Sequence, residues 1–383
     1  MRLSNKQSGS SSSSPSSSFG RPDSWGKSAR KKSACASKPE MTTSAIALAD
    51  ATAARSKPKS LATLVGRYVG LLLLACAPLG VMWNDPYWVN ILAYAYLFGA
   101  LACAWNIIGG LGGQFSLGHG VFFAIGAYSV ARLYLDLGLT PWLAVFPAAA
   151  LATLVAVLIS WPTFRLRGPF FAIATMAINE ACFALANYTD RLTGGPRGIL
   201  IPFRAGFWNM IFIERWKYAL LNFGFMSIVV LITVFLRRAR LGHYLLAVRE
   251  DEDAARSAGI DVLKVKLLGM ALSAALTGIG GGIFAMYVRV LDPPTLFTLA
   301  DIGVKFALIS LIGGIGTIMG PVVGALLIVP IENFLRGALG GAIPGGHLIV
   351  LGIILVCASL FLKRGIVGAF VGAVHRIRNR KRS

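Results

Sequence analysis

The apolar residues of this chain fall into long runs separated by short polar breaks. Ten runs approach the roughly 20 residues that a helix needs to cross about 30 Å of hydrocarbon. They cover 62–83, 87–109, 117–136, 140–162, 169–188, 217–236, 267–288, 299–316, 319–336 and 346–362. Lipid offers backbone groups no hydrogen-bond partner, so such runs are helical. The alternating strands of a membrane barrel are missing from the pattern. The expectation is an all-α integral membrane protein of about ten transmembrane helices. A re-entrant segment is the alternative for 299–336, which Gly313, Gly314, Gly316 and Gly320 interrupt.

The positions of lysine and arginine orient these spans, because positive flanks stay cytoplasmic. Eleven lie before residue 61, seven in the connection 237–266, and seven from Lys363 to Arg382. Placing those regions inside makes both termini cytoplasmic and closes a ten-span topology. The connections 84–86, 137–139, 289–298 and 337–345 then face outside. The outer segment 189–216 carries Arg191, Arg197 and Arg204 against the trend, but it is long enough for the charge rule to weaken.

Composition agrees. Hydrophobic residues make up 56% of the 383 positions and charged ones only 14%, against about a quarter in soluble domains. The formal net charge of +21 reads as a sidedness signal and an attraction to anionic membrane lipid. A nucleic-acid partner is not expected, since that calls for a basic soluble face. Three regions result: a disordered Ser/Lys-rich cytoplasmic tail (1–60), a transmembrane domain (61–365) and a basic cytoplasmic tail (366–383). The serine-rich start is low in core-forming residues, and an early start codon would also explain part of it. Gly26-Lys27-Ser28 lacks the earlier glycine and flanking elements of a phosphate-binding loop. Leu71–Leu74 with Ala75-Cys76-Ala77 is read as part of an uncleaved span, because the preceding tail is far longer than a signal peptide's basic region. Cys35, Cys76, Cys103, Cys182 and Cys357 show no metal-ligand spacing and read as small packing residues.

No catalytic set assembles: the sequence has no HExxH, GxSxG, CxxC or complete Walker A motif. No metal or cofactor is therefore assigned to this chain. A transporter without a nucleotide site is passive, ion-coupled or powered by a partner. The candidate ionisable residues deep within spans are Arg132, Glu180, Lys305 and Glu332. Glu180 is the most central, beside Asn179, and Lys305 stands one helical turn from Asp301. Such residues coordinate a polar solute or fix helix packing, and position alone does not separate the two. The stretches IGGLG (from Ile108) and IGGIG (from Ile312) match over five positions, as an internal duplication or as coincidence in a glycine-rich chain.

The connection 237–266 carries the most specific pattern. Glu250, Asp251, Glu252 and Asp253 stand where acids favour the positive end of a helix dipole. Ala254 and Ala255 continue the helix, Gly259 stops it, and Asp261 caps the next turn. This exposed helix reads as a connector or as a docking peg, with the two small alanines letting a partner's cleft close around it. Asp253-Ala254-Ala255 followed by Gly259 resembles the EAA-xxx-G coupling motif of ATP-binding-cassette importer permeases, with Asp in the Glu position. GGQFSLGHGVFFAIGAY (Gly112–Tyr128), LTGGPRGI (Leu192–Ile199), AVREDEDAARSAGIDVLKVKL (Ala247–Leu267) and ISLIGGIGTIMGPVVGALL (Ile309–Leu327) resemble the LivM-type permeases of branched-chain amino acid importers. The likeness spans about 60 to 365.

That resemblance implies an inner-membrane permease subunit of an ATP-driven importer for branched-chain or related amino acids. It implies a second related permease, two ATP-binding subunits that use the ATP, and a periplasmic solute-binding protein. Permeases for urea and short amides are similar to the same pattern, so the solute stays open here. Gln114, Ser116, His119, Glu180 and Lys305 are the candidate lining of the translocation path. A self-contained carrier or channel is the alternative from another class, and a membrane enzyme is a third.

Overall fold

The computed structural model describes residues 61–81 and 84–339, with isolated positions as far as 369. The segment 1–60, the end of the basic tail and most of the tenth apolar run fall outside the described residues. The described residues belong to one compact unit, Ser60–Ser383.

The first nine apolar runs all appear as helices. They are α1 (Leu61–Val81), α2 (Pro86–Asn106), α3 (His119–Leu137), α4 (Pro141–Thr163), α5 (Pro169–Tyr188) and α6 (Arg215–Arg238). After two short helices, α7 (Arg240–Glu250) and α8 (Glu252–Ser257), come α9 (Val262–Val288), α10 (Pro293–Phe297), α11 (Val304–Gly314) and α12 (Gly320–Leu339). Among the described residues seven helices are long and apolar enough to cross a membrane, and Gly70–Gly80 and Val304–Gly314 are shorter apolar helices. At 1.5 Å per residue, the 11 residues of α11 reach about 16 Å, short of a full crossing, although a π turn at Leu299–Gly303 precedes it. The glycines that interrupt this region therefore break it into a short helix, a turn and a full-length helix.

Proline and acidic caps set several boundaries. Pro86, Pro141 and Pro169 each open a helix, where the missing N–H is no loss. Asp85 accepts from the Tyr87 amide and Asp261 from the Lys264 amide, at 2.9 and 3.1 Å. Among the described residues the strand structure is a two-stranded ribbon, Ile199–Leu200 antiparallel to Val290–Leu291, and an isolated bridge between Gly206 and Ile211. The ribbon ties the segment 189–216 to the turn after α9.

Helix α2 is the core. It is apolar around its whole circumference, and nearly every residue is buried, as expected of a helix surrounded by others. It packs against α6, α9, α11 and α12. Side chains from those neighbours bond to its backbone: Asn222 to the Ala93 carbonyl, Ser310 to that of Ala102 and Ser273 to that of Ala104, at 2.9, 3.0 and 2.7 Å. Apolar contact does not drive helices together in lipid, so such bonds and close backbone approach must. Helices α3 and α9 cross at close backbone approach. A methyl group added at Gly281 would lie 2.0 Å from the Phe123 carbonyl oxygen, and one at Gly126 would lie 2.0 Å from that of Gly278.

Gly281→Ala forces those backbones apart and costs roughly 1–3 kcal/mol. Gly224→Ala, in open space on α6, costs nothing. Thermal unfolding of the purified chain in detergent should show a midpoint lowered by several degrees for Gly281→Ala alone; equal midpoints contradict the close crossing.

Candidate functional site

The stretch 237–266 is not a loop. The α6 helix continues to Arg238, and α7, α8 and the first turn of α9 follow with single-residue or short breaks. Glu250 ends α7 instead of starting the acidic helix. Asp251 is the cap of α8, accepting from the amides of Asp253 and Ala254 at 2.9 and 3.0 Å. The helix stops at Gly259, whose amide bonds to the Arg256 carbonyl at φ +84, a conformation that suits glycine.

Three ties join this helical hairpin to the membrane bundle. Arg249, at the end of α7, donates through Nη1 to the Gly110 carbonyl at 2.7 Å. It lies against both glycine turns, for a methyl group at Gly113 would lie 2.9 Å from its Cγ and one at Gly316 2.5 Å from its Nη1. Asn106 fastens the same two turns to each other: its Nδ2 donates to the Thr317 carbonyl, and its Oδ1 accepts from the Gly316 amide, both at 2.8 Å. The repeated glycine stretches are thus neighbours in space. Glu252 supplies the second tie. Its Oε1 accepts from Lys266 Nζ at 2.5 Å and from Gln114 Nε2 at 3.2 Å. The Lys266 side chain is 1% exposed, so Glu252 is its counter-charge within the protein interior. The third tie is exposed: Arg167, between α4 and α5, forks onto both Asp253 oxygens at 3.1 and 3.0 Å. The hydrogen bond and charge of Arg167 hold Asp253 below its ordinary pKa. A depressed carboxylate pKa means the clamp contributes at neutral pH and is lost as pH falls through the folded value, below the usual carboxylate range.

The residues chosen from sequence divide between two duties. Asp251, Asp253, Ala254 and Gly259 are exposed, whereas Ala255 is buried against its own bundle. Ala255 therefore seats the helix, which corrects its reading as a partner-facing position, and Gly259 ends the helix while staying exposed. Ser116 and His119 join a buried knot. His119 Nε2 lies 2.9 Å from Ser273 Oγ, which donates to the Ala104 carbonyl, and His119 Nδ1 lies 3.1 Å from Ser116 Oγ. With the Ser273 hydroxyl proton committed, the network is satisfied by a neutral imidazole protonated on Nε2. Trp105 Nε1 closes the knot on the Ser116 carbonyl at 2.7 Å.

Lys305 pairs across to Glu332 at 2.8 Å, and Arg336 reaches the same carboxylate at 3.1 Å. The side chain of the expected partner, Asp301, lies outside the described residues. This cluster borders a cavity of about 590 Å³ with Asn90, Tyr94 and Phe98. Asn90 and Tyr94 lie in the opening turns of α2, whose other end carries the glycine turn, so the cavity is at the opposite end of the bundle from Arg249. Glu180 is exposed on α5 and not in the interior of the chain, although adjacent Asn179 is fully buried. Sequence reading passed over Arg249, Lys266, Arg167 and Asn106 as functional positions. Lys266 was counted as a loop charge, yet the Asp261 cap already placed it in the first turns of α9.

The family model for the permease component of branched-chain amino acid transport systems matches residues 87–359. High-affinity branched-chain amino acid transport system permease protein LivM of Escherichia coli (strain K12) is 31% identical over 294 residues, 70% of this chain and 68% of that protein. LivM of Salmonella typhimurium (strain LT2) is 30% identical with the same coverage. The corresponding LivH protein of Escherichia coli (strain K12) is 25% identical over 248 residues, 60% of this chain and 79% of the relative. No solved structure matches the chain.

Glu252→Leu strands the buried Lys266 charge and should cost on the order of 3 kcal/mol, whereas Glu252→Leu with Lys266→Met should recover most of it. Unfolding in detergent checks this; a double variant no more stable than the single one contradicts the pairing.

Proposed function

The chain belongs to the permease family of branched-chain amino acid transport systems, and on that premise we infer that it forms part of the solute path of an ATP-driven importer. It is a multi-pass membrane protein and a transporter component, not an enzyme. The relatives' names supply the solute class proposed here, branched-chain amino acids. The proposed assembly adds a second permease of the same family, two ATP-binding subunits beside α7 and α8, and a solute-binding protein at the opposite, periplasmic face.

The observation that carries this reading is the joint at Arg249. A nucleotide site is absent from the sequence, so energy must enter through contact. The helix α8 is short, capped at both ends, and acidic and small-sided on its outer surface. The hairpin is bolted to the glycine turns by Arg249 at the end of α7, and α8 to Gln114 and the foot of α9 by Glu252. A push on α8 therefore moves the ends of α2 and α9 instead of being absorbed by a flexible link. Against a self-contained carrier, Lys305 and Glu332 are closed in a pair with each other.

Ala254 and Ser257 face outward on α8. Ala254→Arg and Ser257→Arg should leave folding unchanged and weaken co-purification of the ATP-binding subunits about tenfold or more, a loss typical of a central interface position. Both variants retaining the ATP-binding subunits as the native chain does would remove α8 from that interface.

A further inference from the structure

Glu180 sits where a carboxylate cannot face lipid. The loop before α5 carries Arg167, which grips Asp253, so α5 starts at the α7–α8 end of the bundle. Glu180 is eleven residues into this helix, about 16 Å at 1.5 Å per residue and near the middle of a hydrocarbon layer about 30 Å thick. The inner side of α5 is tied to the bundle: Thr175 accepts from the Leu117 amide at 3.0 Å, and Asn179 donates to the Phe297 carbonyl at 2.9 Å. Glu180 points the other way, among the exposed residues Ile173, Ala177, Ala181 and Ala184.

The neighbouring outer surface makes the contrast. On α4 the exposed side chains are large and apolar, with Leu143, Phe146, Leu154 and Leu158 all more than half exposed, as suits a surface against acyl chains. On α5 the exposed face mixes Ile173, Met176 and Leu185 with a charge, Glu180, that Ala177, Ala181 and Ala184 flank. Ionisable groups at mid-membrane depth face protein or a water-filled path, because hydrocarbon does not solvate them. Small residues let a second backbone approach closely. Two permeases of one transport system in Escherichia coli, LivM and LivH, are both similar to this chain, so a homologous subunit is at hand to cover the face.

We propose that the open face of α5 around Glu180 is the contact with the second permease subunit and one wall of the solute path, where the Glu180 carboxylate receives the solute's ammonium group. Such a seam places the path between two related subunits. A carboxylate halfway along gives the α-ammonium of an amino acid a replacement for water at the depth where water is scarce. The exposed alanines leave room for the branched side chain beside it. This inference rests on the importer reading for its solute and on bilayer physics for its interface.

The test uses the full complex, expressed with its second permease, ATP-binding subunits and binding protein. A benzophenone amino acid placed at Ala177 should, on illumination in the membrane, give an adduct with the second permease, and one at Leu154 on α4 should not. In proteoliposomes, Glu180→Gln should lower labelled leucine uptake about tenfold or more, the loss expected for one charge-assisted hydrogen bond, with the complex still assembled. Glu180→Asp should recover part of it. No permease adduct at position 177, or equal adducts at 177 and 154, overturns the interface. Native leucine uptake by Glu180→Gln overturns the ammonium contact. A native complex that cross-links at 177 and moves no leucine supports the interface and overturns the solute assignment and the importer reading beneath it.

Discussion

The Arg249 guanidinium, lodged against the glycine turns at 109–113 and 313–316, is the contact that fastens the α7–α8 hairpin to the membrane bundle. The turns are built from glycine because nothing larger fits: a methyl group at Gly110 would lie 1.9 Å from Asn106 Oδ1 and 2.7 Å from the Gly316 amide nitrogen. With side chains excluded, the backbone carbonyl of Gly110 is free to accept a charged donor from outside the bundle. The hairpin of α7 and α8 hangs on that bond, on the Glu252–Lys266 pair and on the exposed Arg167–Asp253 fork. The order of strength follows burial. The exposed fork is worth little in water, whereas breaking the Glu252–Lys266 pair leaves a cation in the interior.

The same logic is used at the opposite end of the bundle. Lys305 and Glu332 neutralise each other beneath the cavity that Asn90, Tyr94 and Phe98 help to line, with Arg336 at the rim. Between these two charged ends, α2 is held by hydroxyl and amide side chains to its carbonyls and by glycine crossings. The bundle interior is therefore rigid where α2, α3 and α9 cross. The outer face of α5 is the least covered of the long helices. A rigid unit with one open, charged face is suited to work against a second unit of the same kind.

Much of the fold was legible in the sequence because the membrane sets the length of every span. Nine of the ten apolar runs became helices with ends within a few residues of those expected. The short α11 was readable only as a set of glycines, since hydropathy does not say how a broken run folds back. The acidic helix was expected over 250–259 and stands at Glu252–Ser257, but its two faces were not distinguished. A six-residue helix is too short for periodicity to show that Ala254 looks out and Ala255 looks in. Gln114, Ser116 and His119 were picked as one group, yet Gln114 serves the hairpin while Ser116 and His119 lock helices together. Glu180 was placed centrally in its span, but its direction was not legible, because an isolated span does not reveal which side its neighbours occupy. Arg249 was hidden in plain view, as one arginine among many on the cytoplasmic flank, because its partner is a backbone carbonyl 139 residues away in sequence.

The central claim is that Arg249 carries motion from the hairpin to the glycine turns, and the ratio of solute moved to ATP consumed measures it most directly. In proteoliposomes containing the full complex, Arg249→Gln should keep ATP hydrolysis within about twofold of native and cut leucine moved per ATP about tenfold, the effect of losing one charge-assisted bond. An unchanged ratio, with hydrolysis and uptake both intact, would contradict the account.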